Sequence, residues 1–216
     1  MNSIDRKNRE REIRRNDIID AAIQLFYEKG YNGTTMDDIA GRAEFTKMTV
    51  YSYFSGKEEI LLSAAIKSFR ILNEMFTVAG ESGSSGFDKI TGIGMAYCDF
   101  FLNHRPNFRI LDMTGSTLQG MIPTPPFAEF MEENNRMIGI MSRAIAEGIS
   151  DGTLRKDIEP RQFALLLVSF SNGFYKIIDS YGDMFPPQFG ASAEEFVELG
   201  LTFIGNAIKD IRLEKA

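Results

Sequence analysis

Residues 34–57, TTMDDIAGRAEFTKMTVYSYFSGK, constrain the fold more than any other stretch of the chain. Thr35 can cap a helix on which Met36, Ile39, Ala40 and Ala43 share one face. A turn around Glu44–Phe45 follows. Thr46 can then cap a second short helix that carries Lys47, Thr49, Val50, Tyr51, Tyr53 and Phe54. Val50 and Phe54 lie four apart and can pack inward, which leaves Lys47, Thr49, Tyr51 and Tyr53 to point elsewhere. A short helix presented by the helix before it is the geometry that enters a DNA major groove. The spacing alone also fits a surface helical hairpin with a few polar residues.

Ile18, Ile19, Ala22, Ile23 and Phe26 repeat at helical spacing over 15–29, and Gly30 supplies a stop. Helices over 35–43 and 46–54 come next. Ser55 and Glu58 form an S-x-x-E capping signature for a long fourth helix, about 56–78, closed by the linker GESGSSG at 80–86. Further helices are expected at about 87–103, at 107–118 after an interruption at Pro106, at 127–149 after an IPTPP loop at 122–126, at 160–181, and at 193–211 with Ser192 and Glu195 as a second capping box. No segment alternates like a strand. The fold class read from this pattern is all-α, with about nine helices. The function-based division is 1–57 for DNA binding and 58–216 for ligand binding and dimerisation.

The ordered combination TT-x-x-x-IA, T-K-x-T-x-Y-x-Y-F and K-E-E, together with IIDAAIQLFYEKGY before it, resembles the N-terminal domain of the TetR/AcrR family of bacterial transcriptional regulators over residues 13–62. Two positions depart from the family pattern. Glu44 stands in the turn where Gly or Ala is frequent, and is expected to take a positive φ at a cost of about 1 kcal/mol. Met48 stands where a small residue is frequent, adding bulk near the DNA surface. The resemblance implies a repressor released from its operator by a small ligand and working as a homodimer, and the cysteine count with the lack of an apolar span or signal reads as cytoplasmic. The alternative is a DNA-bound factor whose body docks another protein and holds no small ligand.

The residues assigned to DNA are Thr35, Thr46, Lys47, Thr49, Tyr51, Ser52, Tyr53 and Lys57. Lys47 can reach a phosphate or a guanine edge, and Thr49 can bond a base edge or meet a thymine methyl. The tyrosines offer phenols to phosphate, while Thr35 and Lys57 sit at helix starts, which attract anions. Tyr51 fits equally well as a residue packed into the small domain's core. The net charge of −6 divides unevenly. Residues 1–57 hold ten basic and nine acidic side chains, the remainder fourteen and twenty-one, and 1–15 alone hold six and three. A basic DNA-facing end and an acidic body fit this asymmetry, because local cations set DNA affinity.

Residues 160–181 are apolar nearly all the way round, so such a helix must be buried on every side. One side can meet the chain's own core and the other a second subunit. On the last helix Gly200, Phe203, Ile204 and Ala207 are the interface candidates, with Gly200 admitting a partner helix closely. Eleven methionines and eighteen phenylalanines suggest a cavity for a bulky apolar ligand. Its candidates are Met95, Cys98, Phe101, Met113 and Phe127, with Met131, Phe170, Phe174 and Tyr175 from the later helices. The same residues also read as ordinary core.

A single cysteine excludes an internal disulfide and a cysteine-rich zinc site, and one histidine, His104, leaves no pair for a metal or a triad. GESGSSG lacks the GK[ST] ending of a phosphate loop. No apolar run approaches the ~18 residues of a membrane span, and the charged RKNREREIRR run is not a secretory signal. The reading is of a non-enzymatic protein without cofactor or metal.

Overall fold

The computed structural model describes residues 3–117 and 125–209. The helices are α1 (Ser3–Gly33), α2 (Met36–Arg42), α3 (Lys47–Tyr51), α4 (Lys57–Ser82), α5 (Gly86–Asn103), α6 (Arg105–Thr117), α7 (Pro125–Asp151), α8 (Pro160–Tyr181), α9 (Phe185–Phe189) and α10 (Ala193–Ile208). Among the described residues the sole β-type pairing is one antiparallel bridge, Leu154 to Lys209. The fold is all-α.

Several boundaries differ from the sequence reading, each for a local reason. α1 starts at Ser3, because the charged run before residue 15 consists of good helix formers, with Arg6 and Glu10 paired four apart. Gly30 does break its geometry, at φ 73°. The cap of α4 uses Glu59 rather than Glu58. The helix begins at Lys57, so the third helical position is Glu59, whose carboxylate accepts from the Ser55 amide and hydroxyl at 2.8 and 2.7 Å. Both expected linker and helix overlap at 80–86: α4 continues to Ser82 and α5 starts at Gly86. A β-carbon on Gly86 would fall 1.9 Å from the Gly148 amide nitrogen, so the start of α5 touches α7 backbone to backbone. Pro106 lies in the first turn of α6, where its missing N–H costs nothing. Pro125 and Pro126 open α7, while 122–124 of the expected IPTPP loop and 210–211 of the expected last helix lie outside the described residues. The Ser192–Glu195 capping box of α10 forms in both directions.

The chain divides into two compact units, residues 1–70 with 104–133 and residues 71–103 with 134–216. The first holds α1, α2, α3, α6 and the beginnings of α4 and α7. Its core joins Ile18, Ile19, Ala22, Ile23 and Phe26 of α1 to Ile39 and Ala40 of α2, then to Val50 and Phe54. Ile60, Leu61, Ala64 and Ala65 of α4 and Ile110 of α6 belong to the same core, so this unit extends past residue 57. The second unit is built from the rest of α4 and α7 with α5, α8, α9 and α10. In it Tyr97, Phe100 and Phe101 of α5 are buried with Tyr175 of α8, and Phe101 stacks on Tyr175 at 4.7 Å. No helix among the described residues is long and apolar enough to cross a membrane.

Candidate nucleic-acid interface

α2 is fixed to α1 from two sides. The Arg42 guanidinium donates to both Glu28 oxygens at 3.1 and 2.7 Å, which holds the Glu28 carboxyl below the usual carboxylate range. Lys29 donates to Asp38 at 3.0 Å. Thr35 caps α2, accepting from the Asp38 amide while Asp38 accepts from the Thr35 amide. The Thr35 hydroxyl, then Lys29, hold the Asp38 carboxyl far below its ordinary value.

The turn after α2 closes as a Schellman motif. The Phe45 amide donates to the Ala40 carbonyl at 2.9 Å and the Glu44 amide to the Gly41 carbonyl at 3.3 Å. This geometry demands a left-handed residue, and Glu44 supplies it at φ 59°, the only non-glycine with positive φ among the described residues. α3 then starts from Thr46, whose hydroxyl accepts from the Thr49 amide at 3.1 Å. Val50 at 0% and Phe54 at 1% exposure seat α3 on the core, as their spacing predicts.

Thr46, Lys47, Thr49 and Ser52 are bonded inside the motif. Thr46 and Thr49 share a hydroxyl pair at 2.8 Å, and the Ser52 hydroxyl donates to the Thr49 carbonyl at 2.6 Å. The Lys47 ammonium donates to Asp37 of α2 at 2.9 Å, and that bond raises its pKa. Tyr51 is half exposed rather than core. Tyr53 is partly buried, with the Arg11 guanidinium 5.7 Å from its ring centre. Arg15 lies over Phe54 at 4.9 Å and donates to Ser63 at 2.9 Å. Arg11 and Arg15 were not singled out in the sequence, although their spacing of four within the basic run was the available signal. Lys57 is a correction. Its ammonium donates to the carbonyls of Tyr31 and Thr34 at 2.7 and 2.8 Å and lies over the Tyr31 ring, so it closes the end of α1 and does not face outward.

The expected ligand-pocket set comes together only in part: Phe101, Phe170, Phe174 and Tyr175 cluster in the second unit, the last three beside a recess of about 10 Å³. Met113 packs on the core of the first unit, Phe127 lies beside Phe130 in that unit, and Met131 is exposed there. In the second unit Met95 is 60% exposed, and Phe101 and Tyr175 are close-packed. Burial raises the pKa of the half-buried Cys98 thiol and, further, that of the Tyr175 phenol. Phe174 stacks on Phe196 at 4.4 Å, and Phe170 lies between Phe174 and Phe203. Instead, a cavity of about 50 Å³ is lined by other residues, among them Phe76, Ile93, Tyr97, Met141, Val168 and Ile204. Of the four interface candidates, Phe203 and Ala207 are exposed. Gly200 is buried against the chain's own Phe174, and Ile204 lines the cavity. Among the described residues no group of three or more His, Cys, Asp or Glu side chains could hold a metal ion.

Two helices joined by a Schellman turn, the second seated on a small core with one face outward, make the N-terminal part a helix-turn-helix domain. Residues 18–64 match the family model of bacterial regulatory proteins, tetR family. Over those residues the chain is similar to the bacterial regulatory proteins of the tetR family. It is 37% identical over 73 residues to the biofilm operon icaADBC HTH-type negative transcriptional regulator IcaR of Staphylococcus aureus strain Newman, a match covering 34% of this chain and 39% of that protein. The chain thus spans about two fifths of the length of the curated relatives it matches first. A TetR/AcrR-family regulator from Thermobifida fusca YX-ER1 superposes with TM-score 0.67 at 27% identity, covering 89% of this chain and 97% of the other. AibR in complex with isovaleryl coenzyme A and operator DNA superposes with TM-score 0.67 at 16% identity, covering 88% and 97%, and is similar in fold.

Proposed function

We propose that this protein is a homodimeric repressor that binds a near-palindromic DNA operator through α3 and is released by a small, largely apolar molecule held in the second unit. The observation that carries the reading is the outward face of α3, with Lys47, Met48, Tyr51 and Ser52 exposed above the buried Val50 and Phe54. Thr35, Thr46, Lys47, Thr49, Tyr51, Ser52 and Tyr53 form the DNA-facing set. The division of labour at residue 57 belongs to the same proposal. IcaR is a negative transcriptional regulator, and AibR binds isovaleryl coenzyme A and operator DNA, which supports both halves of the mechanism.

Dimerisation rests on an uncovered apolar face. Leu165, Leu166, Phe170 and Ile177 of α8 are 45–58% exposed, and Leu199 and Phe203 of α10 are each 64% exposed. A second copy covers such a face symmetrically, and the two copies of α3 then read half-sites a whole number of helical turns apart. Release follows from a difference in effector affinity between DNA-competent and incompetent states. α4 and α7 each have residues in both units.

One observation favours the second reading, a DNA-bound factor that docks another protein. The apolar cavity of about 50 Å³ is well below the ~300 Å³ at which ligand pockets begin, and the roomier one of about 250 Å³ is lined by Glu81, Lys89, Arg143 and Glu147, charged groups that do not suit an apolar ligand. Selecting bound sequences from a random DNA pool and screening compounds for release of the selected operator separates the two. Operator binding that a compound reverses supports the repressor. Operator binding that no compound moves supports the docking factor, and a chain that selects no DNA defeats both.

A further inference from the structure

Met48 is 83% exposed, and no other large apolar side chain among the described residues stands so far into solvent. It is the second residue of α3, with the exposed Tyr51 about one turn further on. Its polar neighbours each already hold a bond within the motif: Lys47 to Asp37, Thr46 to Thr49, Ser52 to the Thr49 carbonyl. To read a base, each of these either exchanges the bond it holds, for a small net return, or uses a donor or acceptor which that bond leaves over. Met48 has no such bond to exchange. Its exposed thioether chain is unfavourably hydrated, so contact with an apolar group is favourable outright.

The major groove offers one apolar feature, the C5-methyl of thymine. We infer that Met48 is a specificity-determining residue that selects a thymine in each half-site by packing on its methyl group. This rests on the proposed role of α3 in DNA reading and adds what that reading lacks, a named base and the atom that is recognised. Methionine suits the task because three rotatable bonds let its end follow a methyl held at a fixed place in the groove.

The test replaces each thymine of the selected operator, one at a time, by deoxyuridine. This deletes the methyl and leaves every hydrogen-bonding group in place. Loss of one buried methyl is expected to weaken binding about fourfold at one thymine per half-site, and about fifteenfold when both half-sites are changed. Met48→Ala is expected to bind both DNAs equally at that position, and Met48→Leu to keep the preference. Because the side chain is exposed, both variants should melt with the parent protein, and that measurement accompanies the binding. A parent protein indifferent to every thymine-to-deoxyuridine exchange, or a preference that survives Met48→Ala, overturns the inference while leaving operator binding intact. A parent protein that selects no DNA overturns the inference together with the function on which it rests.

Discussion

Glu44→Gly should stabilise this protein, and the size of the gain can be worked from the turn. Glu44 is held at φ 59° because the Schellman bonds from Phe45 and Glu44 to Ala40 and Gly41 close only around a left-handed residue. In that region the β-carbon crowds the following carbonyl oxygen, at roughly 1–2 kcal/mol for an L-residue. Glycine removes the crowding but also gives the unfolded chain more freedom, a loss of about 0.5–1 kcal/mol. The net gain is about 0.5–1 kcal/mol, or about 1–4 °C in melting temperature for a chain of this size.

Glu44→Ala is the control, since alanine loses the charge and keeps the β-carbon. It should melt within a degree or so of the parent protein. Thermal unfolding followed by circular dichroism, with all three proteins in one buffer, gives the answer. If Glu44→Ala rises as much as Glu44→Gly, the carboxylate and not the backbone was the source of strain. If Glu44→Gly falls, the turn was not strained.

Lys47→Ala is expected to leave the melting temperature unchanged, because the bond to Asp37 joins two exposed groups, and to lower the salt dependence of operator binding by about one ion; an unchanged slope removes Lys47 from the phosphate-contacting set. Asp38, whose carboxyl is held down first by the Thr35 hydroxyl and then by Lys29, contributes stability that is complete above its ordinary value near 3.8 and is lost as the pH falls below it. Asp38→Asn should therefore flatten the acid limb of melting temperature against pH, and parallel curves for variant and parent would refute this. Phe203→Asp should give a folded monomer by light scattering, whereas Gly200→Arg should fail to fold, since its β-carbon would already lie 2.7 Å from the Phe174 ring. A folded Gly200→Arg dimer contradicts the second expectation.

The helix-turn-helix was legible because its information is local. Two caps, a turn and two inward residues lie within 24 residues, and Thr35, Thr46, Val50 and Phe54 take their expected positions. The strained turn was legible too, from a glutamate standing where the backbone needs a left-handed residue. By contrast, the charged start of α1 carries no apolar period, and only its composition favours a helix. α9 was missed because FPPQF reads as a breaker, although its prolines fall in the first turn.

The cavity was illegible for a different reason. On α5, Ile93 and Tyr97 line it, while Met95 faces solvent and Cys98 is half buried, and only the neighbouring helices decide this rotation. Met113 lies on α6, which packs on α1, and Phe127 lies at the start of α7, beside Phe130 in the first unit. Aromatic and thioether content shows that a core exists and not which of its faces stays unfilled.

The second unit joins its two proposed tasks in one pair of helices. α8 gives Leu167, Val168 and Ser171 to the cavity wall and Leu165, Leu166 and Phe170 to the exposed face. α10 gives Leu201 and Ile204 to the wall and Leu199 and Phe203 to the face. A β-carbon on Gly94 of α5 would lie 3.2 Å from Leu201, so α5 and α10 already touch at the cavity. An effector that widens the cavity toward ligand size by moving α8 or α10 would disturb the face through which two copies are proposed to join. Linkage makes that effect reciprocal: if the effector loosens the dimer, dimerisation weakens effector binding by the same factor. On the repressor reading, effector affinity measured at nanomolar and at micromolar protein should then differ, with the dilute protein binding more tightly.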